Sequence, residues 1–343
     1  MMTAELTSAE TSAPGPSPLP LDAATNPAMF WAMAYKMTDA LMTLAESGAI
    51  DALIEQPRNV QALAESLSLH PEPLAMLLAL LVSAGLLEAI EDCYVVPATT
   101  QTMLPMVLLE TRLRQWHAAN RSLLQTLQQG TGSNPLDHIN DEGFLTNYQD
   151  AMAASVRSIA LHLFRYGRIG EATHVLDLGG ADGALVERLA ALMPHASFTV
   201  VDRPVVENYF DRRMTAASGR VPARFVADDV TCPAALLHAA TTADGVVISN
   251  LLHFLTKPQI SALLTSLQGA LPRDSRLFIY DQFLTANRLD PARLMVVDWI
   301  NLGAGFDLCE SDMAELLKSL GFTAVTARRF GSLPGALVTA MTS

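Results

Sequence analysis

A glycine-rich segment with one acid is the first candidate for chemistry in this chain. The apolar run Val175–Leu178 contains Asp177 and leads directly into Gly179, Gly180 and Gly183. Glycine has no Cβ, so these residues allow backbone N–H groups to approach a ligand closely. A helical pattern follows, and a strand, a Gly-rich turn and a helix in this order open nucleotide-binding α/β folds.

The acids around this loop indicate which kind of ligand it could bind. The next predicted strand, Phe198–Val201, is followed by Asp202. A carboxylate at that position suits a ribose diol, because both hydroxyls donate hydrogen bonds. The loop has Asp177 beside it and no phosphate-binding lysine, which favours a ligand with an adenosine and a positive centre. S-adenosylmethionine is such a ligand, and it is the predicted cofactor.

The elements that must position these residues alternate from Thr173 to the end of the chain. Helices are predicted between the strands, for example Pro258–Ala270 and Glu310–Leu320. Five parallel strands and a terminal pair predict an α/β fold with a Rossmann-like seven-stranded methyltransferase sheet. The predicted strands are Val175–Leu178, Phe198–Val201, Ala223–Val226, Gly245–Ser249, Leu277–Tyr280, Ala324–Arg329 and Ala336–Met341.

The N-terminal part of the chain is predicted to form separate regions. Residues 1–26 are rich in Ala, Ser, Thr and Pro and are predicted to be disordered. Residues 27–100 form a predicted winged-helix dimerisation domain, 101–170 a helical region that lines the substrate, and 171–343 the cofactor-binding catalytic domain. The winged-helix prediction rests on helical patterns at Met29–Ala49, Asn59–Leu67 and Glu72–Ser83 and on a hairpin formed by Leu86–Ala89 and Tyr94–Pro97.

Charge argues against nucleic acid as the partner of that domain. The segment Glu72–Glu88, which holds the would-be recognition helix, has no Lys or Arg, and the net charge of the chain is −13. The helix Met29–Ala49 instead mixes Phe30, Trp31 and Tyr35 with Met and Leu, which is unlike a solvent-facing helix. The sequence therefore predicts a homodimer through the N-terminal domain.

Membrane insertion and secretion are not expected. The apolar run Leu74–Leu87 is about 14 residues long, too short to span a bilayer. The N-terminal residues include Glu5 and Glu10 and have no basic region of the kind that opens a signal peptide. The three cysteines are far apart and form neither a disulfide framework nor a metal-ligand spacing. A cytoplasmic location and the absence of a bound metal are expected.

One histidine lies where α/β active sites form. The segment Ser249–Phe254 ends a strand and precedes a helix that opens with Lys257 and Pro258. It resembles the motif of the caffeate and flavonoid O-methyltransferase family of plant and bacterial secondary metabolism, and the resemblance covers about residues 27–343. It implies that His253 is the general base that removes a proton from a substrate hydroxyl. An imidazole suits this role because its pKa lies near working pH.

The same resemblance implies two acids that orient the base. By spacing they are Asp281, after the strand Leu277–Tyr280, and Asp307, with Glu310 as a competing candidate for the second. The family usually has Glu at the first position and a Glu-Arg-Thr signature at the second, where this chain has Asp307-Leu308-Cys309. These departures admit a carbon, nitrogen or sulfur acceptor, or a carboxylate, on the same fold.

The resemblance also assigns residues to the two ligands. Asp202 matches the ribose acid, Asp229 the acid that holds the adenine amino group, and Val230 the apolar lid on the adenine ring. The implied cofactor residues are Asp177, Gly179, Gly180, Gly183, Asp202, Asp229, Val230 and Ser249, the last where plant enzymes have Lys. The implied substrate-lining residues are Tyr148, Met152, Trp299 and Asn301.

The predicted function is therefore S-adenosylmethionine-dependent methylation of a small molecule, with oxygen as the first choice of acceptor. A C-, N- or S-methyltransferase or a carboxylate methyltransferase is the alternative. A non-catalytic methyltransferase-like partner protein is the third hypothesis. The intact glycine loop and His253 argue against that third hypothesis.

Overall fold

A computed structural model describes residues 27–120, 122–130, 132, 142–217, 219, 221–284, 291–302, 307–330 and 335–343. The predicted disordered tail, residues 1–26, lies outside the described residues. The chain divides into two compact units, with the boundary between Leu104 and Pro105. The predicted domain boundaries at residues 100 and 170 stay predictions.

The first unit is helical and ends in a hairpin. Its elements are α1 (Pro27–Glu46), α2 (Ala49–Glu55), α3 (Val60–Leu67), α4 (Pro71–Ser83), β1 (Glu88–Ile90) and β2 (Cys93–Val95). Asn59 begins α3 by accepting a hydrogen bond from the N–H of Ala62 at 2.8 Å. Strands β1 and β2 pair antiparallel. This order of elements agrees with the predicted helices and hairpin.

The boundary between the units falls within helix α5 (Ala98–Asn120). In the second unit two further helices, α6 (Ser122–Gln129) and α7 (Glu142–His162), precede the sheet. Buried Leu109 of α5 packs with Phe144 and Ala151 of α7.

A seven-stranded sheet forms the centre of the second unit, as predicted. Its order is β5-β4-β3-β6-β7-β9-β8, with parallel pairing from β5 to β7 and antiparallel pairing of β9 with both β7 and β8. The strands are β3 (His174–Leu178), β4 (Ser197–Asp202), β5 (Ala223–Ala227), β6 (Gly245–Ser249), β7 (Arg276–Asp281), β8 (Thr323–Arg329) and β9 (Ala336–Met341). The helices after β3 are α8 (Ala184–Leu192), α9 (Glu207–Ala216), α10 (Ala234–Ala240), α11 (Lys257–Ala270), α12 (Pro291–Leu294), α13 (Val296–Leu302) and α14 (Glu310–Ser319).

The sheet is covered on both faces, which explains its near-continuous apolar strands. In β3, Leu176 and Leu178 pack into one core with α10, α11 and α14, while Val175 packs into the other with α7 and α8. Strand order reverses at β3, which lies between β4 and β6. Ligands of open α/β sheets bind at this kind of switch point, outside the carboxyl ends of the strands.

Within the described residues, no helix combines the length and the apolar character that a bilayer crossing requires.

Candidate active site

The loop after β3 has room only for glycine at its first two positions. The backbone of Gly179 has a φ of 68°, and its N–H donates to the carbonyl of Val201 at 2.8 Å. A Cβ on Gly180 would lie 2.6 Å from Oδ2 of Asp177, well inside van der Waals contact. The loop is therefore packed directly against the Asp177 carboxyl group.

Gly183 has a different role. With a φ of 80° it caps the N-terminus of α8, and a Cβ there would meet the Phe210 ring at 2.9 Å. Gly183 does not line the cavity next to the loop, whereas Gly179 and Gly180 do. It shapes the turn rather than contacting the ligand site.

Asp177 is a buried carboxyl group whose two oxygens have no hydrogen-bond partner among the described residues. Burial, together with the nearby Asp202 carboxylate, raises the pKa of Asp177 to about 8. A buried polar group without a partner costs free energy unless a ligand supplies donors. Asp177 also lines the cavity, so a ligand with positive charge or N–H groups would satisfy it.

Asp202, at the end of β4, is held by the same loop. Its Oδ2 accepts from the N–H of Ala181 at 2.9 Å, and its Oδ1 accepts from the N–H of Arg203 at 2.7 Å. Burial raises the pKa of Asp202 against the lowering effect of these hydrogen bonds. The carboxylate is fixed at the cavity wall, where it can accept from a ligand diol.

The cavity has a volume of about 300 Å³ and opens at the carboxyl ends of β3, β4 and β6. Asp229 and Val230 line it, and Asp229 is exposed and accepts from the N–H and the hydroxyl of Thr231. These hydrogen bonds lower the pKa of Asp229. Ser249 of β6 and Tyr148 and Met152 of α7 complete the predicted residues on its wall.

The glycines, the unpartnered Asp177 and the fixed Asp202 suit an adenosine ligand with a positive centre, as S-adenosylmethionine is. Sequence reasoning missed several wall residues, among them Leu251 and Phe254, which flank the predicted base. Their apolar character gives no signal in sequence that distinguishes a cavity wall from a core.

His253 and Asp281 form a buried hydrogen-bonded pair. Nδ1 of His253 lies 2.7 Å from Oδ1 of Asp281, which has no exposed surface. Asp281 also accepts from the N–H of Leu252 at 3.0 Å and from the N–H of Gln282 at 2.8 Å. Three hydrogen bonds fix the carboxylate, so it orients the ring and leaves Nε2 as the basic nitrogen.

The two alternatives for a second acid are each paired with a cation, and their role beside the base stays a prediction. Asp307 is exposed and forms a 2.6 Å ion pair with Lys257 at the start of α11. Glu310 binds Arg329 through two contacts, at 3.0 and 2.5 Å, and so joins α14 to β8. Neither acid has a described contact with His253, because each is held by a cation of its own.

Asp298 is an acid near the base that sequence reasoning did not choose. It lies on α13, and the neighbouring Trp299 ring is 6.4 Å from the His253 ring. Burial raises the pKa of Asp298 to about 6, while the charge of His253 acts in the opposite direction. Trp299 is buried in the apolar core. Asn301, three residues after Asp298 on α13, is buried and lines a second cavity.

Comparison with known proteins places this site in a family. The family model of the O-methyltransferase domain matches residues 121–323, more than half of the chain. The tetracenomycin polyketide synthesis 8-O-methyl transferase of Streptomyces glaucescens is 25% identical over 85% of this chain and 90% of its own length. The N,N-dimethyltransferase OxyT of Streptomyces rimosus is 27% identical over 88% of this chain and 92% of its own.

Solved structures confirm the fold. Human N-acetylserotonin methyltransferase, in complex with its cofactor, superposes with a TM-score of 0.76 at 18% identity, over 94% of this chain and all of that chain. The predicted fold class, enzyme class and cofactor are confirmed. The chain belongs to the O-methyltransferase domain family of S-adenosylmethionine-dependent methyltransferases that act on small molecules.

Proposed function

We propose that this chain methylates a hydroxyl group of a small molecule and that His253 is the general base. The observation that supports this role is the buried hydrogen bond between His253 and Asp281, at the same sheet edge as the glycine loop. Asp281 accepts a hydrogen bond from Nδ1–H, so Nε2 can take the proton of an acceptor hydroxyl. The imidazolium that forms is stabilised by the same carboxylate.

The cofactor is proposed to be held by Asp177, Gly179, Gly180 and Asp202. Around its adenine ring and ribose lie Asp229, Val230 and Ser249. S-adenosylmethionine supplies an electrophilic methyl group on a sulfonium centre. The residues of the chain orient this group and the acceptor and exclude water, since proximity supplies much of the rate in methyl transfer. Gly183 is proposed to shape the turn at the start of α8 rather than to contact the cofactor.

A nitrogen acceptor is the second candidate. One relative of similar coverage is an N,N-dimethyltransferase. The second family acid is replaced by Asp307, which is paired with Lys257 rather than with the base. An amine that is already neutral needs less help from a base than a hydroxyl group.

A mass-shift screen tests the proposed function. Purified protein, cofactor with a labelled methyl group, and a panel of phenols, aliphatic alcohols, amines and thiols are incubated together. A gain of one labelled methyl on oxygen supports the proposal. A gain on nitrogen, sulfur or carbon supports the alternative, and cofactor binding without transfer to any member of a broad panel supports a non-catalytic role.

Asp202→Ala is expected to weaken cofactor affinity by ~1–3 kcal/mol, because it removes the acceptor for the ribose and leaves the N–H of Ala181 unpaired. Titration calorimetry with S-adenosylhomocysteine measures the effect. Asp211→Ala, an exposed acid on α9, is the matched control and should bind as the wild type does. Unchanged affinity in Asp202→Ala would remove Asp202 from the site.

Cofactor affinity is expected to rise with pH. Asp177 has a pKa near 8 in the free protein, so it is mainly protonated at pH 6. A cationic ligand favours the carboxylate, and binding should therefore release a proton and strengthen as pH rises toward 8. Calorimetry in two buffers of different ionisation enthalpy counts that proton. Asp177→Asn should abolish the release, and a pH-independent wild type would contradict the placement of Asp177.

We also propose a homodimer through the first unit. Its support is a set of large apolar side chains that are exposed in the single chain. They are Met33, Tyr35, Ile54, Met76, Leu80, Ile90 and Met103. Obligate dimers bury more than ~2,000 Å² of mostly apolar surface. Light scattering at micromolar concentration should report twice the chain mass, and a monomer would refute the proposal.

A cytoplasmic location is proposed as well. All three cysteines, Cys93, Cys232 and Cys309, are free thiols, as is usual in a reducing compartment. Cell fractionation with a tagged chain checks this location.

A further inference from the structure

A second cavity, separate from the cofactor cavity, lies between α5, α6 and α13. Its volume is about 500 Å³, and none of the described residues lines both cavities. Helix α5 contributes Glu110, Arg114 and His117, while α13 contributes Asp298 and Asn301. Leucines of α6 and Val297 form its apolar wall.

One wall residue of this cavity, Asp298, lies near the proposed base. Asp298 lines it, and Asp298 precedes Trp299, whose ring is 6.4 Å from the His253 ring. The charge of His253 acts on the Asp298 carboxyl group, so these side chains lie within electrostatic reach. A molecule that contacts Asp298 in this cavity is therefore close to the proposed base.

The charged groups that face the cavity are two acids and two bases. Burial raises the pKa of Glu110 to about 7, and the charge of Asp298 adds to this effect. Burial lowers the pKa of His117, which is therefore neutral at pH 7. Glu110 and Arg114 are exposed as whole residues, while Asp298 is partly buried. When both carboxyl groups are ionised, the cavity holds two negative charges against one positive charge.

Resting on the proposed function, we propose that this cavity binds the acceptor substrate and selects one with a protonated nitrogen, held by Glu110 and Asp298. An ammonium group donates up to three hydrogen bonds, and carboxylates only accept them. A cation between the two acids also removes their mutual repulsion and restores their ionised state. An anionic group would instead be repelled by both carboxylates.

The prediction is tested with three phenols of similar size and different charge. Tyramine carries an ammonium group, 4-propylphenol is neutral, and 3-(4-hydroxyphenyl)propanoate carries a carboxylate. Binding to the full chain is measured by saturation-transfer NMR with S-adenosylhomocysteine present. Tyramine should bind about tenfold tighter than the neutral phenol, which corresponds to about 1.4 kcal/mol. The preference should increase between pH 5.5 and pH 8 as the two acids ionise.

Glu110→Gln and Asp298→Asn should each reduce this preference to less than about threefold, whereas Asp211→Asn on the exposed surface of α9 should keep it. Thermal unfolding and S-adenosylhomocysteine binding confirm that each variant is folded. Equal binding of the three phenols overturns the proposal, as does a preference that survives both variants or no tyramine binding at millimolar concentration. Failure of the proposed function looks different, since it would appear as absent cofactor binding or as tyramine binding without methyl transfer in any screen.

Discussion

His253→Ala is expected to lower the kcat of methyl transfer by ~10²–10⁴-fold and to leave cofactor affinity nearly unchanged. The hydroxyl proton then has no acceptor at the buried position that Asp281 fixes. His253 does not line the cofactor cavity, which is why binding should survive. Steady-state kinetics with the acceptor found by the screen and calorimetry with S-adenosylhomocysteine measure the two quantities separately.

His238→Ala is the matched control, because this histidine is exposed on α10 and has no proposed role. Asp281→Asn should cost less in kcat than His253→Ala, because Asp281 orients the ring and does not transfer the proton. It should also destabilise the fold by ~1–3 kcal/mol, since one of the two carboxylate oxygens becomes an NH2 donor and the N–H of either Leu252 or Gln282 loses its acceptor. Near-full turnover of His253→Ala would mean that proton removal is not limiting. The acceptor would then be sulfur, a carboxylate or a group already ionised.

The strands were predictable because both faces of the sheet are covered. Side chains on both faces of a strand such as Gly245–Ser249 are buried, so nearly the whole segment is apolar. Such a short apolar run is readily predicted as a strand of a covered sheet. His253 was assigned by the resemblance to the family motif and by its position after a strand, since the carboxyl ends of parallel strands share one edge. Asp281 was implied by the same resemblance, and the structure shows that its strand, β7, lies beside β6.

Which acid assists Asp281 does not follow from spacing alone. Asp307 is the acid that aligns with the family signature, yet Lys257 is within 2.6 Å of it in the folded chain. Asp298 is nine residues earlier, on α13. Only the folded chain shows that this helix packs near His253, with the Trp299 ring 6.4 Å from the His253 ring. A charge on a helix is ordinarily solvated, so its sequence gives no indication that it faces a cavity.

The role of Gly180 likewise depends on a contact between residues that sequence cannot measure. A glycine in a loop is usually explained by a backbone angle, but of the three glycines in this loop only Gly179 and Gly183 have a positive φ. Gly180 is required because Asp177 Oδ2 and Val200 Cγ1 would lie 2.6 and 3.0 Å from any Cβ. The glycine and the unpartnered carboxyl group therefore form one unit of the cofactor site.

Gly180→Val is expected to weaken cofactor affinity by at least ~100-fold, about 2.7 kcal/mol. The new side chain must displace the Asp177 carboxyl group from the cavity wall, and overpacking in such a place costs ~1–3 kcal/mol of stability as well. Calorimetry with S-adenosylmethionine measures the first effect and thermal unfolding the second.

Gly269→Ala provides the contrast. A Cβ at Gly269 meets no atom within 4 Å, and this residue is exposed in α11, so alanine should leave binding unchanged and stabilise the helix by up to ~1 kcal/mol. If Gly180→Val bound S-adenosylmethionine as tightly as the wild type does, the loop could not be where the sulfonium and its amino acid portion bind. Asp177 would then be a buried acid without a ligand, and its raised pKa would be a cost to folding that nothing in the site offsets.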